Sequence, residues 1–139
     1  METKAFTKTI PPLVRKQILQ AQRNEVTEYH IYRRLAREAK NDNQKKILNS
    51  IAEDELRHYK TWMKYTGREV SSGRWNLFKY YWLTKLFGLT FGLKQMELAE
   101  KRAQVDYNEI GKEIPEAFQI AKEETQHEKE LLALLKSNF

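Results

Sequence analysis

Hydrophobic positions recur at helical spacing in four long stretches of this chain, and each apolar stripe is interrupted near its middle by ionisable residues. From Pro11-Pro12 to about Lys40, Ile18, Glu25, Tyr32 and Ala39 repeat by sevens, with Val14, Ala21, Tyr29, Leu35 and Ala36 beside them. This predicts an amphipathic helix whose first turn tolerates proline. Asn41-Asp42-Asn43 predicts a turn with Asp42 as N-cap of a second helix, which stops at Gly67. Its stripe is Ile47, Ile51, Glu55, His58, Trp62 and Tyr65. A third helix carries Leu93, Met96, Glu97, Glu100, Ala103, Tyr107 and Ile110 and ends at Gly111. Pro115 opens a fourth, with Phe118, Ala121, Glu124, His127, Leu131 and Leu134. Met1 to Ile10 reads as a frayed terminus.

Between the second and third helices lie a loop, Arg68 to Arg74, and an aromatic segment, Trp75 to Gly92. The segment predicts a crossover helix packed on the rest of the molecule; its rival reading is an amphipathic surface for a membrane or a partner. The expected fold is therefore all-α: one domain over residues 1–139, an antiparallel four-helix bundle made of two hairpins, with a long aromatic-rich crossover containing an extra helix.

Composition narrows the function. With 40% apolar and 32% charged residues, five glycines and three prolines, the chain suits a helical bundle. The absence of cysteine excludes disulfides, thiolate metal sites and a catalytic thiol, and agrees with a cytoplasmic setting. Met1 to Thr9 lacks the apolar run of a secretory leader, and Leu77 to Leu93 is broken by Lys79 and Lys85, short of the ~20 apolar residues of a membrane span. The net charge of +6 is spread along the chain, densest at Arg33, Arg34, Arg37, Lys40, Lys45 and Lys46, and reads as a solvated face. No nucleic-acid reading element accompanies it.

The ionisable interruptions form a repeat. Glu25-x6-Tyr32 precedes Glu55-x-x-His58, and Glu100-x6-Tyr107 precedes Glu124-x-x-His127; of seven tyrosines, only these two follow a glutamate by seven positions. Residues i and i+3 of a helix share a face, so each Glu-x-x-His aims a carboxylate and an imidazole at one spot. Four buried carboxylates without compensation would cost many kcal/mol or take up protons. Two divalent cations would balance their four charges, and carboxylate oxygen with imidazole nitrogen and no sulfur favours iron or manganese, with zinc also compatible. A hydrogen-bonded polar core layer is the bland alternative.

These motifs resemble the ferritin-like di-iron carboxylate superfamily, in which two helices each give a Glu and two give Glu-x-x-His. The match is closest to rubrerythrin-type domains. Leu86-Phe-Gly-Leu-Thr-Phe-Gly-Leu-Lys-Gln-Met-Glu97 is similar to the ferritin-like domain associated with vacuolar-iron-transporter-like membrane proteins, although this chain lacks both a spanning segment and a Cys-x-x-Cys rubredoxin domain. The resemblance covers about Val14 to Leu135. It implies two bound Fe ions, with Glu25 and Glu100 as terminal ligands, Glu55 and Glu124 as bridges, His58 and His127 as nitrogen ligands, and Tyr32 and Tyr107 as hydroxyl donors to the carboxylates.

In the third helix Glu97 or Glu100 could ligate. At ~1.5 Å rise per residue, Glu100 lies ~16 Å before Gly111 and Glu124 ~14 Å after Pro115, whereas Glu97 lies ~21 Å back. Glu100 fits the level better; Glu97 is an additional or alternating ligand, Glu28 a reserve, and Glu53, Glu123 and His30 belong to the surface. The implied activity is Fe(II) oxidation with O2 or H2O2, ferroxidase or peroxidase-like, serving iron homeostasis or oxidative-stress defence with an external electron donor. The alternative is a non-catalytic iron-binding or iron-sensing module that docks on a membrane iron transporter or partner through Trp75 to Phe91. The crowded aromatics favour a homodimer, and a complete site within one chain argues against a DNA-protecting mini-ferritin.

Overall fold

A computed structural model describes residues 10–137, which form five helices and no strand. They are α1 (Pro12–Arg37), α2 (Asp42–Thr66), α3 (Arg74–Phe87), α4 (Leu89–Ile110) and α5 (Glu116–Ser137). No helix among the described residues is long and apolar enough to cross a membrane. The terminus expected to fray lies, apart from Ile10, outside the described residues.

Local chemistry accounts for the helix ends. Pro12 starts α1, where a missing N–H costs nothing, and Arg34 and Arg37 in its last turn face the negative end of the helix dipole. Asn41, not Asp42, caps α2: its side chain accepts from the Gln44 amide at 2.9 Å, and Asp42 is the first helical residue. Gly67 ends α2 with φ 72°, a left-handed conformation that relieves the last carbonyls at no steric cost. Gly88, at φ 90°, separates α3 from α4.

Two apolar clusters lie on either side of a polar level. One gathers Ile31, Leu35, Leu48, Ile51, Leu93, Met96, Leu131 and Leu134, among others; the second gathers Val14, Ile18, Trp62, Tyr107, Ile110, Ala117 and Ile120. Along α1 and α5 the chain meets the second cluster first, and along α2 and α4 it meets the first cluster first, so α1 and α5 run opposite to α2 and α4. Because α2 and α4 run the same way, their connection must travel back along the molecule. Helix α3 makes that journey, packed on α4 and α1, and its 14 residues rise ~21 Å. None of its residues is fully buried, and only Leu77 and Tyr80 reach the first cluster. Phe118, expected in the core stripe of α5, is instead 42% exposed and lies across Gly111, while Ala117 and Ile120 take the inward positions.

Helices α1, α3 and α4 approach one another closely at Gly92. A Cβ there would lie 2.7 Å from Leu35 Cδ2 and 2.9 Å from Thr84 Oγ1. Gly92→Ala is expected to lower stability by about 1–2 kcal/mol, overpacking outweighing the better helix propensity of alanine. A denaturant titration with unchanged or raised stability would contradict this close approach.

Candidate metal centre

The polar level is assembled by one or two residues from each of α1, α2, α4 and α5. Glu25, Glu55, His58, Glu100, Glu124 and His127 are each at most 1% exposed. They form two groups of four ligand atoms within 4.8 Å of one another: Glu25, Glu55, His58 and Glu124; and Glu55, Glu100, Glu124 and His127. Glu55 and Glu124 belong to both. His58 Nδ1 lies 3.0 Å from Glu124 Oε1, 3.3 Å from Glu55 Oε1 and 3.4 Å from Glu25 Oε2. His127 Nδ1 lies 3.3 Å from Glu55 Oε1 and 3.7 Å from Glu100 Oε2. The two imidazole centroids are 6.2 Å apart.

Both oxygens of Glu55 and Glu124, one oxygen each of Glu25 and Glu100, and both histidine Nδ1 atoms meet no aligned hydrogen-bond partner. Buried polar atoms are normally paired; these eight converge on the two four-atom groups, while Trp62 Nε1, Glu97 Oε2 and His58 Nε2, also without an aligned partner, lie outside them. Oxygen and imidazole donors carrying up to four negative charges suit two divalent cations of the iron, manganese or zinc type.

The surrounding hydrogen bonds repeat across the two halves. Tyr32 on α1 donates to Glu100 on α4 at 2.5 Å, and Tyr107 on α4 donates to Glu25 on α1. Trp62 packs against Tyr107 with ring centroids 5.6 Å apart. His127 donates through Nε2 to Asp54 at 2.8 Å, and His58 Nε2 lies 3.5 Å from Glu123 Oε1, so each imidazole turns its Nδ1 towards the centre. Arg57 joins these two outer carboxylates, 3.0 Å from Asp54 and paired with Glu123. Removing a ligand-orienting donor typically weakens metal 10–100-fold. Tyr32→Phe and Tyr107→Phe are each expected to weaken metal by about 10-fold without lowering the number of ions bound at saturation. Calorimetric titration giving wild-type affinity for both would assign the hydroxyls a packing role.

Without metal, protons do the neutralising. Burial disfavours imidazolium, yet the carboxylates of Glu25 and Glu124 outweigh it and raise His58 to about 11. Burial likewise opposes the charge on His127, but Asp54 and Glu100 raise it to about 9. Burial, and then the neighbouring carboxylates, push Glu55 and Glu124 well above the usual carboxylate range. Burial would raise Glu100, but the neighbouring Glu124 carboxyl, His127 and the Tyr32 hydroxyl outweigh it and lower it. The hydrogen bond from His127 lowers Asp54, with burial opposing it.

Three sequence assignments change. Glu97 is buried but enters neither group; its carboxyl faces Lys94 at 3.6 Å and Lys101 at 3.9 Å. Glu28, the reserve, comes closer than Glu97, its carboxyl within hydrogen-bonding reach of Glu55. Glu123 is not a free surface group but stands against His58 and Arg57, whereas Glu53 and His30 are exposed. Sequence reading missed Asp54 altogether. The available signal was an acidic residue directly before each motif, Asp54-Glu55-x-x-His58 and Glu123-Glu124-x-x-His127. No family model, curated protein or solved structure matches the chain.

Proposed function

We propose that the chain is a ferritin-like, rubrerythrin-type di-iron carboxylate protein: an antiparallel four-helix bundle that binds two iron ions and oxidises Fe(II) with O2 or H2O2. The observation that carries this reading is the pair of buried four-residue groups sharing Glu55 and Glu124. Bound iron would supply one-electron redox chemistry, with H2O2 taking two electrons and two protons to leave as two waters. In this reading Glu55 and Glu124 would be shared by both ions, Glu25 and Glu100, which accept from Tyr107 and Tyr32 respectively, would hold one ion each, and His58 and His127 would be aimed by Glu123 and Asp54. The buried setting keeps bulk water and larger reductants away. Anaerobic Fe(II) titration followed by H2O2 or O2 tests it: the expected result is two Fe per chain and repeated oxidant consumption with Fe(II) present. Binding of two Fe without consumption would remove the catalytic half of the proposal.

A second reading, an iron-binding module that docks on a membrane or membrane partner, is favoured by the outer face of α3. Trp75, Phe78, Trp82, Leu86 and Phe87 are between 50% and 83% exposed, with Arg74, Lys79 and Lys85 among them and no acidic residue in the helix. Aromatic rings with flanking cations suit an anionic interface. Co-sedimentation with anionic vesicles that Trp75→Ser/Trp82→Ser abolishes, together with binding but no turnover, would favour this reading over the enzyme.

A further inference from the structure

The ligating residues are almost wholly enclosed, so a cation must reach them between helices. Where α2 and α5 meet, Arg57 ties Asp54 to Glu123 and closes the surface over the histidines. On the far side a cleft of about 480 Å³ runs between α1 and α4, flanked by Asn76 and Tyr80 of α3. Its walls mix polar and apolar side chains. They include Asn24, Arg102 and the exposed acids Asp106 and Glu109, with Ala99 on the α4 side.

Two wall residues touch the ligating groups directly. Tyr107 donates to Glu25. Glu28, half-buried and lining the cleft, places its carboxyl within hydrogen-bonding reach of Glu55. Glu28 lies one turn from Glu25 on α1 yet belongs to neither four-atom group. It therefore stands between the cleft and the bridging position, a carboxylate with one side towards solvent and the other towards Glu55.

We infer that the α1–α4 cleft is the route by which divalent cations reach the centre, and that Glu28 takes each cation from the cleft and passes it to Glu55. The inference rests on the proposed two-cation centre. Asp106 and Glu109 outnumber the wall's one cation, Arg102, along the route, and a carboxyl group partway in shortens the stretch over which an ion must shed water without a ligand.

Stopped-flow mixing of metal-free protein with Co(II), followed by equilibrium titration, tests the route. Glu28→Gln keeps the shape and removes the ionisable carboxyl that would take the cation, and Ala99→Phe fills the cleft without altering a ligand. Both variants are expected to bind two Co(II) per chain at equilibrium, with uptake slowed at least 10-fold. Wild-type uptake in Ala99→Phe would overturn the route, and wild-type uptake in Glu28→Gln would overturn the transfer role. Fewer than two Co(II) in Glu28→Gln at saturation would make Glu28 a resident ligand and overturn that role as well. Failure of the wild type itself to bind two ions would instead remove the centre on which the inference rests.

Discussion

Replacing Glu55 or Glu124 by alanine is expected to take bound metal from two ions per chain to one or none. Each of these carboxylates belongs to both four-residue groups, so one substitution strips a ligand from both positions. Losing even a residue that orients a ligand costs 10–100-fold in affinity, so losing a shared ligand should cost at least about 100-fold at each position. The thermal consequence has the opposite sign to that of an ordinary core truncation. Metal-free Glu55→Ala removes a buried carboxyl held well above its normal pKa by burial and like charges, so the metal-free variant should be as stable as wild type or more so. What disappears is the metal-dependent gain, about 2.7 kcal/mol when free metal stands at 100 times Kd. Metal analysis and melting curves with and without Mn(II) read both effects. A ratio of two ions per chain retained in Glu55→Ala would sink the assignment, and Glu97→Ala, which touches neither group, should leave the ratio at two.

The metal-free protein is expected to lose stability as pH rises from about 6 to 9, and metal should reverse that slope. His58 and His127 are raised from 6.5 to about 11 and about 9 by their carboxylate neighbours against the pull of burial, and burial chiefly raises Glu28 from 4.5 to about 8. A group whose folded pKa is raised contributes stability that is complete below its unfolded value and is lost as pH climbs through the folded value. Between pH 6.5 and 8 all three groups titrate in that sense, and Glu55 and Glu124 share the direction. Asp54, Glu100 and Glu123 are lowered and act oppositely, but their contribution is lost only on acidification, below the carboxylate range. Each proton held in excess by the folded state tilts stability by about 1.4 kcal/mol per pH unit. One net proton would therefore lower Tm by roughly 5 °C per pH unit. Cations displace these protons, so affinity, and with it the metal-bound Tm, should climb over the same interval. Melting in chelator and in Mn(II) at pH 6, 7, 8 and 9 measures both slopes. A chelated Tm that rises from pH 6 to 9 would refute the proton-neutralised centre.

Much of this arrangement is legible in the chain. The seven-residue recurrence of Ile18, Glu25 and Tyr32, and the Glu-x-x-His pairs within apolar stripes, place charged residues on buried helix faces, and those faces are buried. The rise per residue favours Glu100 over Glu97 at the level of Glu124, and Glu100, not Glu97, shares a four-atom group with Glu124. The misses have a common cause. Asp54 and Glu123 lie beside the inward face of their own helices, and reading each helix alone assigns Glu123 to solvent. Their partners are histidines on the opposite helix, a relation that no single-helix periodicity contains. Glu28 is similar, because its distance from Glu55 depends on how closely α1 and α2 pack. Asn41 took the cap from Asp42 because both are competent cap residues and only the backbone path chooses between them.

By itself, the sequence determined the helices, the face each one buries and the height at which its charged residues lie, because periodicity and rise are properties of a single helix. Only the tertiary structure decided which carboxylates meet, which histidine each outer acid holds, and which helices flank the α1–α4 cleft. Those depend on the rotation and separation of helices distant in sequence, quantities that local spacing does not encode.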